Sequence, residues 1–332
     1  MTNPQNLASS LLCVLWCALP LGAQGRGGGG GGGSPPPTPD IVYTNGKLTS
    51  GTRPLWVMSS DGSSPRQVLG EDCKFSYPSL SPEGLQVAFT KTRSGVSAVW
   101  VINSDGAGLH AVTPILLPIV YQTSNTFPGT RAVWSPAPAP DQQRKLLFAD
   151  TPDPRSVPWQ LFVVNLDGTG RTQLTNQSGL HLRSPASYEW SSDAGRIVYL
   201  ADDGPVIVTL GLSNGQLVIT EQTLVPPPVE PNRLVSVGWA NSSDQLVLTG
   251  QNPAHGLNRD LWLVDPSFPL TALQITNTAD DEALPTFSAD DSRIYFWNYS
   301  SAAPGTYSIP ADGSGSRVLI NAKAQNPYHR RG

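Results

Sequence analysis

Short apolar alternations recur along the chain, and polar turn residues separate them. Aligned with one another they form four columns, the first being an aromatic or large apolar residue followed by a small one, in "YPSLSPEG", "AVWSPAPA", "YEWSSDAG", "VGWANSSD" and "PTFSADDS". The second column starts seven residues later in four of these five copies, as "VAF", "IVY", "LVL" and "IYF". The remaining copy reaches "LLF" after the insertion "PAPAPDQQ". A polar turn between two short apolar alternations predicts a hairpin of paired strands.

The third and fourth columns flank a second turn. The third reads "LWVMSSDG", "VWVINSDG", "LFVVNLDG", "LWLVDPSF" and "TYSIPADG", with a weaker relative in "VTLGLSNG". The fourth follows each turn as "RQVL", "HAVT", "TQLT", "LQIT" and "RVLI". Asp-Gly and Asn-Gly reach positive φ at low cost, which a tight hairpin between these strands requires.

Each repeat unit is therefore four short antiparallel strands in roughly 45 residues, which is the blade of a β-propeller. Counting second-column strands from "IVY" at Ile41 gives six units. The sequence thus predicts an all-β fold, a six-bladed β-propeller of four-stranded antiparallel blades. The first unit lacks its own first strand, and the chain continues past the sixth unit into "NAKAQNPYHRRG". We expect this C-terminal tail to supply the missing inner strand and so close the ring.

Tryptophan follows the same columns. Three of the nine tryptophans lie in the first column and three in the third, namely Trp134, Trp190, Trp239, Trp56, Trp100 and Trp262. Periodic placement of large flat side chains is what packing between twisted sheets demands. We interpret these residues as core between neighbouring blades and not as a platform that stacks a cofactor.

The composite pattern, W-S-P-D-G followed by R-I-x-Y, then L-W-V-M-x-x-D-G and R-x-L-T, resembles the TolB-like propeller repeat. That repeat also occurs in the propellers of prolyl oligopeptidase relatives, and WD40-like repeats are of the same general kind. The resemblance covers the chain from Asp40 to the C-terminus. Individual units are degenerate, since Leu80 replaces the aromatic residue in one copy and Asn214-Gly215 replaces Asp-Gly in the fourth. TolB carries a separate N-terminal domain, where this chain has a low-complexity spacer.

The N-terminus indicates export. "LASSLLCVLWCALPLGA" is an apolar stretch with a small-residue cleavage site at its end, so residues 1–23 are predicted to be a signal peptide, with an uncleaved anchor as the alternative. Residues 24–39 are a Gly/Pro-rich linker, and residues 40–332 are the propeller. Cleavage leaves Cys73 as the only cysteine and therefore no internal disulfide. We expect a periplasmic or secreted monomer with no membrane span once the signal is removed.

Charge excludes one class of partner. The net charge is -4 and the estimated pI is near 5.5, with no basic cluster. Such a chain offers little to a phosphate backbone, so we predict no nucleic-acid partner.

One segment matches a catalytic motif. "GLSNG", residues 211 to 215, fits the G-x-S-x-G nucleophile elbow. That elbow needs a strand-to-helix turn, whereas this segment leads into the strand-like "QLVITEQTL". In the hydrolases that the repeat resembles, the catalytic domain lies outside the propeller. We therefore predict that Ser213 is a turn residue and chemically inert.

A metal site is the remaining chemical possibility. Propellers of similar type that act as lyases or lactonases gather His, Asp or Glu ligands at the central channel, whereas here His110, His181, His255 and His329 lack ligand spacing. The run "ADDEALPTFSADDS" is the best candidate for calcium, through Asp280, Asp281, Glu282, Asp290 and Asp291. The preferred interpretation is two solvated turns flanking the first strand of the sixth unit, with no cofactor.

The leading functional hypothesis is a non-enzymatic exported propeller that binds a protein or peptide partner, in the cell envelope. The alternative is a lyase or hydrolase acting on a carbohydrate or lactone with a metal in its channel. Partner contacts are expected on the loops that enter each first-column strand, where each residue is otherwise an ordinary surface residue. The candidate residues are Asp72, Tyr77, Arg131, Arg183, Glu189, Arg233, Asp281 and Glu282.

Overall fold

A computed structural model describes residues 36–45, 53–70, 74–93, 96–113, 131–150, 159–176, 187–230, 233–267, 272–300 and 302–331. These residues form six antiparallel sheets of four strands each, together with a 3₁₀ helix at Pro253–His255. The sheets belong to the compact unit Thr38–Gly332. The predicted signal peptide and most of the predicted linker lie outside the described residues. Within those ranges no helix is long and apolar enough to cross a bilayer.

The strands of the first three blades are given from the centre outward. The first blade consists of β24 (Ala324–His329), β1 (Ile41–Asn45), β2 (Leu55–Met58) and β3 (Arg66–Leu69). The second consists of β4 (Lys74–Leu80), β5 (Gln86–Arg93), β6 (Val96–Asn103) and β7 (His110–Ala111). The third consists of β8 (Val133–Trp134), β9 (Lys145–Asp150), β10 (Gln160–Asn165) and β11 (Thr172–Gln173).

The remaining three blades follow the same order. The fourth consists of β12 (Tyr188–Trp190), β13 (Arg196–Ala201), β14 (Gly204–Ser213) and β15 (Gln216–Leu224). The fifth consists of β16 (Leu234–Trp239), β17 (Leu246–Gln251), β18 (Arg259–Val264) and β19 (Leu273–Gln274). The sixth consists of β20 (Glu282–Phe287), β21 (Arg293–Asn298), β22 (Gly305–Pro310) and β23 (Val318–Asn321).

The first-column strands form the inside of the ring. In the order β4, β8, β12, β16, β20 and β24, each contacts the next, and β24 contacts β4. The tail strand β24 pairs antiparallel with β1, placing Ile41 opposite His329 and Val42 opposite Tyr328. The predicted six-bladed propeller, with the C-terminal tail closing the ring, is confirmed.

The first-column tryptophans pack between blades, as predicted. Trp134 and Trp190 are 2% and 0% exposed. The indole N–H of Trp190 donates to the carbonyl of Val133 at 3.2 Å, and that of Trp134 donates to the carbonyl of Ser79 at 3.2 Å. Each of these two tryptophans thus bonds to the inner strand of the preceding blade, so they join the second, third and fourth blades to one another.

The recurring Asp-Gly turn has two structural reasons. Asp167 accepts a hydrogen bond from the backbone N–H of Thr169 at 2.9 Å, which stabilises the turn locally. Gly168 has φ +84°, and a Cβ there would lie 2.5 Å from the carbonyl oxygen of Val112, the residue after the fourth strand of the preceding blade. In the fourth blade the turn has Gly215 at φ +75°, with no atom within 4 Å of a Cβ. Glycine is therefore needed for its positive φ at both Gly168 and Gly215. Only at Gly168 is it also needed because the neighbouring blade lies too close for a Cβ.

Candidate binding site

The six inner strands surround a central channel, whose two ends differ. We define the upper mouth as the end at which the inner strands begin and the lower end as that at which they turn into the second strands. The buried polar residues described next lie on the inner strands or within two residues of them.

Arg331, just after β24, closes the lower end. Arg331 is 4% exposed. The guanidinium donates to the carbonyl of Trp190, to those of Trp239 and Ala240 at 3.1 and 3.0 Å, and to the Asn241 side chain at 2.9 Å. These acceptors belong to the fourth and fifth blades or follow them directly, so an arginine attached to the first blade spans the ring.

Arg331 belongs to a group of buried polar side chains, which we call the channel cluster: Arg131, Glu189, Tyr328 and Arg331. Glu189 pairs with Arg331 at 3.5 Å and accepts from the backbone N–H of Trp190 at 3.0 Å. Arg131, two residues before β8, is 1% exposed, and its guanidinium carbon lies 5.0 Å from the Tyr328 ring centroid. The Nε and Nη2 atoms of Arg131 are buried without a hydrogen-bond partner among the described residues.

Burial controls the electrostatics of the cluster. It raises the pKa of Glu189, while the positive charges of Arg331 and Arg131 act in the opposite direction. It also raises the pKa of the Tyr328 hydroxyl, and the neighbouring carboxylate of Glu189 adds to that shift. A charge at this depth is costly unless it is paired, and Arg331 is the ion-pair partner of Glu189.

Aromatic and arginine side chains gather at the upper mouth. Tyr77 of β4 packs against Ala283, Leu284 and Trp297 of the sixth blade. Tyr299, which is 41% exposed, meets Trp297 edge-on at 6.1 Å and has the Arg259 guanidinium 4.9 Å from its ring centroid. Burial raises the pKa of the Tyr77 hydroxyl, and the charges of Arg53 and Arg131 oppose that shift, so both arginines lie close to this mouth.

The structure corrects the expected environment of three candidate contact residues. Arg131, Glu189 and Glu282 are 1%, 3% and 0% exposed, so the expectation that they are ordinary surface residues is wrong. The physical reason is that Glu189 and Glu282 belong to inner strands and Arg131 lies two residues before one, where six strands converge. Tyr77 is half-buried in β4. Its partner contact, like those of the other candidates, stays a prediction.

The other candidates lie apart from the channel cluster. Asp281 makes a two-point ion pair with Arg259, at 2.6 and 2.7 Å. Arg233 pairs with Glu230 in its own loop at 2.9 Å. Asp72 and Arg183 lie outside the described residues. Of the eight candidates, Arg131 and Glu189 belong to the channel cluster, and Tyr77 lies in an inner strand at the upper mouth.

Ser213 occupies the predicted turn. It ends β14 and pairs with Gln216 of β15 across Asn214 and Gly215, which have φ of +50° and +75°. A two-residue turn with positive φ at both positions joins two strands, whereas a nucleophile elbow leads into a helix. The interpretation as a hairpin turn is confirmed, and the inertness of Ser213 stays a prediction.

The carboxylates of the acidic run, residues 280 to 291, already pair with or accept hydrogen bonds from other protein side chains and backbone groups. Asp280 and Glu282 pair with Arg317, Asp290 accepts from Ser288 and Ser292, and Asp291 accepts from Asn241 and Ser242. Asp290 and Asp291 lie in the turn after β20, as expected, but Glu282 is buried inside the strand. Within the described ranges, no three His, Cys, Asp or Glu side chains are grouped as a metal site requires. His329 is buried and stacks on Tyr295 with ring centroids 4.8 Å apart.

Sequence reasoning missed Tyr328, Arg331 and the Tyr299 group. One signal for the first was available, because "YPSL", "LPTF" and "NPYH" align at a proline in three inner strands. The residues before those prolines, Tyr77, Leu284 and Asn326, share positive φ values of 47°, 59° and 51°. The tail could therefore have been aligned residue by residue with the other inner strands.

No protein-family model matches the chain, and no curated protein matches it in sequence. Among solved structures, TolB from Acinetobacter baumannii is similar with a TM-score of 0.66 at 16% identity, covering 89% of this chain and 67% of that one. A putative TolB from Agrobacterium tumefaciens gives 0.53 at 12% identity, over 86% and 91%. A chain of a nidogen/laminin complex gives 0.53 at 12% identity, over 88% and 98%. The fold is thus that of a TolB-like propeller, as the repeat predicted.

Proposed function

We propose that this propeller is a non-enzymatic scaffold that binds a protein or peptide partner through its upper mouth, after export to the periplasm or cell surface. The observation that carries the proposal is the group Tyr77, Trp297, Tyr299 and Arg259 around that mouth. Tyrosine, tryptophan and arginine are the residues that most often dominate binding energy at protein interfaces. The lower end has no such role, because Arg331 fills it.

The Tyr299 side chain is exposed and already held in place, which favours its use in binding. Tyr299 exposes 41% of its surface while Trp297 and the Arg259 guanidinium hold its ring. The ion pair of Arg259 with Asp281 fixes that guanidinium in turn. An exposed aromatic side chain that is already ordered loses little conformational entropy on binding.

Two further considerations favour binding over catalysis. One of the structurally similar chains belongs to a nidogen/laminin complex, so a chain of this fold takes part in a protein assembly there. A lyase or lactonase would be expected to place two or more histidines with carboxylates in the channel. Across the described inner strands, His329 is the one histidine.

Affinity capture tests the proposal. The full chain, used as bait in an envelope extract, should retain a reproducible partner. Tyr299→Ala should reduce retention at least about tenfold, the usual effect of losing an aromatic contact at an interface centre. Leu85→Ala is the control, because Leu85 is 61% exposed in the turn at the opposite end of β4. Equal retention by both variants, or turnover of a glycan or lactone without any captured partner, would overturn the proposal.

A further inference from the structure

The channel cluster has an unbalanced composition. It holds two guanidinium groups, Arg131 and Arg331, and one carboxyl group, Glu189. Arg331 contacts Glu189 at 3.5 Å and four further acceptors at the lower end. Arg131 shares no ion pair with a described residue, although only 1% of its surface is exposed. Buried cations are ordinarily paired, so Arg131 is the member of the cluster that the fold leaves uncompensated.

The unpartnered atoms of Arg131 have a specific geometry. Its Nε and Nη2 form one edge of the guanidinium, which carries two parallel N–H donors. The same edge of Arg259 binds both oxygens of Asp281, at 2.6 and 2.7 Å. The Arg131 guanidinium carbon lies over the Tyr328 ring, 5.0 Å from its centroid, and the Nε and Nη2 edge makes no hydrogen bond with a described residue.

We infer that the channel binds one carboxylate group, held by the Nε and Nη2 edge of Arg131. A planar monoanion matches both the two-donor edge and the single uncompensated charge. A dianion such as phosphate would leave one negative charge unpaired beside Glu189. This inference is independent of the proposal that a protein partner binds at the upper mouth.

The ligand reaches the site from one side. Because Arg331 bonds to the fourth and fifth blades at the lower end, we expect the ligand to enter from the upper mouth, past Tyr77. Tyr77 lies within electrostatic range of Arg131. The carboxylate belongs either to a free small acid or to a peptide, and the chemistry at Arg131 is the same in both cases.

Isothermal titration of the full chain tests the inference. The ligands are acetate and N-acetylglycine, their neutral amides as controls, and an acetylated tripeptide with a free or an amidated C-terminus. We expect the acids to bind at least about tenfold more tightly than the amides, since only the acids can accept two charge-assisted bonds. Binding of the small acids alone identifies a free ligand, and a preference for the free tripeptide terminus identifies a peptide.

Variants then locate the site. Arg131→Gln should abolish the preference for acids, and Arg131→Lys should weaken it, because lysine keeps the charge without the two-donor edge. Arg144→Gln is the matched control, since Arg144 lies in the same blade and pairs with Glu83 on the surface. Unchanged acid binding in a folded Arg131 variant overturns the inference. If neither variant folds, the unmodified protein decides: equal affinity for acids and amides overturns it, and a preference for acids supports it. Acid binding without a captured partner would reject only the proposed function.

Discussion

Glu282 provides a measurable link between pH and stability. Its carboxyl group is buried at the start of β20, where one oxygen accepts from Arg317 at 3.0 Å and the other has no partner among the described residues. Burial raises the pKa of Glu282 to about 7, against the hydrogen bonding from Thr276 and the charge of Arg317, and Asp260 adds to the shift. The folded protein therefore holds this proton more tightly than the unfolded chain does.

The sign and size of the effect follow from linkage. Because the folded pKa exceeds the unfolded value of 4.5, the contribution to stability is complete below that value and is lost as pH rises through about 7. A shift of this size corresponds to about 3 kcal/mol in total, of which about 2.5 kcal/mol is lost between about pH 5 and about pH 8. Glu282→Gln carries no titrating proton and should lack that loss.

Equilibrium urea unfolding at about pH 5 and about pH 8 measures this loss of stability. The free energy of unfolding of Glu282→Gln should fall less between the two pH values than that of the unmodified chain, by about 2.5 kcal/mol. Glu230→Gln is the control, because the Glu230 side chain is 69% exposed, and it should follow the unmodified protein. His329 works in the opposite direction, since burial lowers its pKa, but it is present in all three proteins and cancels in the comparison. The same pH dependence in Glu282→Gln as in the unmodified chain would refute the reasoning.

Three further predictions concern the repeat and its closure. Gly215→Ala should lower the free energy of unfolding by about 1 kcal/mol, and Gly168→Ala by roughly 3 kcal/mol, because only the latter also collides with the Val112 carbonyl; equal losses in urea unfolding would contradict this. Deleting the chain from Ala322 removes β24 and the bonds of Arg331, so the melting temperature should drop sharply, and an unchanged midpoint would rule out closure by the tail. Ser213 should not react with a fluorophosphonate probe; labelling that disappears in Ser213→Ala would show a nucleophile in the turn.

The architecture was predictable because it depends on register. Strand pairing, turn position and blade number each follow from spacings that recur, and one degenerate copy does not disturb the others. The insertion in "AVWSPAPAPDQQ", for example, changed only the turn between β8 and β9. The tail was predictable for the same reason, since a ring with a missing inner strand leaves an open edge on β1.

The channel was less predictable because its residues meet through the ring and not along the chain. Glu189 and Arg331 are 142 residues apart in sequence, and no spacing rule relates them. Burial also reverses the usual expectation for charged residues, which are exposed in most proteins unless they are paired. The candidates were expected on the loops that enter the first-column strands, but the convergence of six strands buries three of them, Arg131, Glu189 and Glu282.

A departure within a column is therefore the more useful sequence signal in such a fold. In four first-column segments the residue before the column position is Ser79, Val133, Gly238 or Thr286, and only the fourth blade has a charged residue there, Glu189. At the same register the tail has Tyr328, and both of these side chains belong to the channel cluster. Repetition fixes the frame because packing tolerates few alternatives at those positions. A charged residue at an otherwise small or apolar inner-strand position needs a partner once it is buried. For Glu189 that partner is Arg331, which reaches it across the ring.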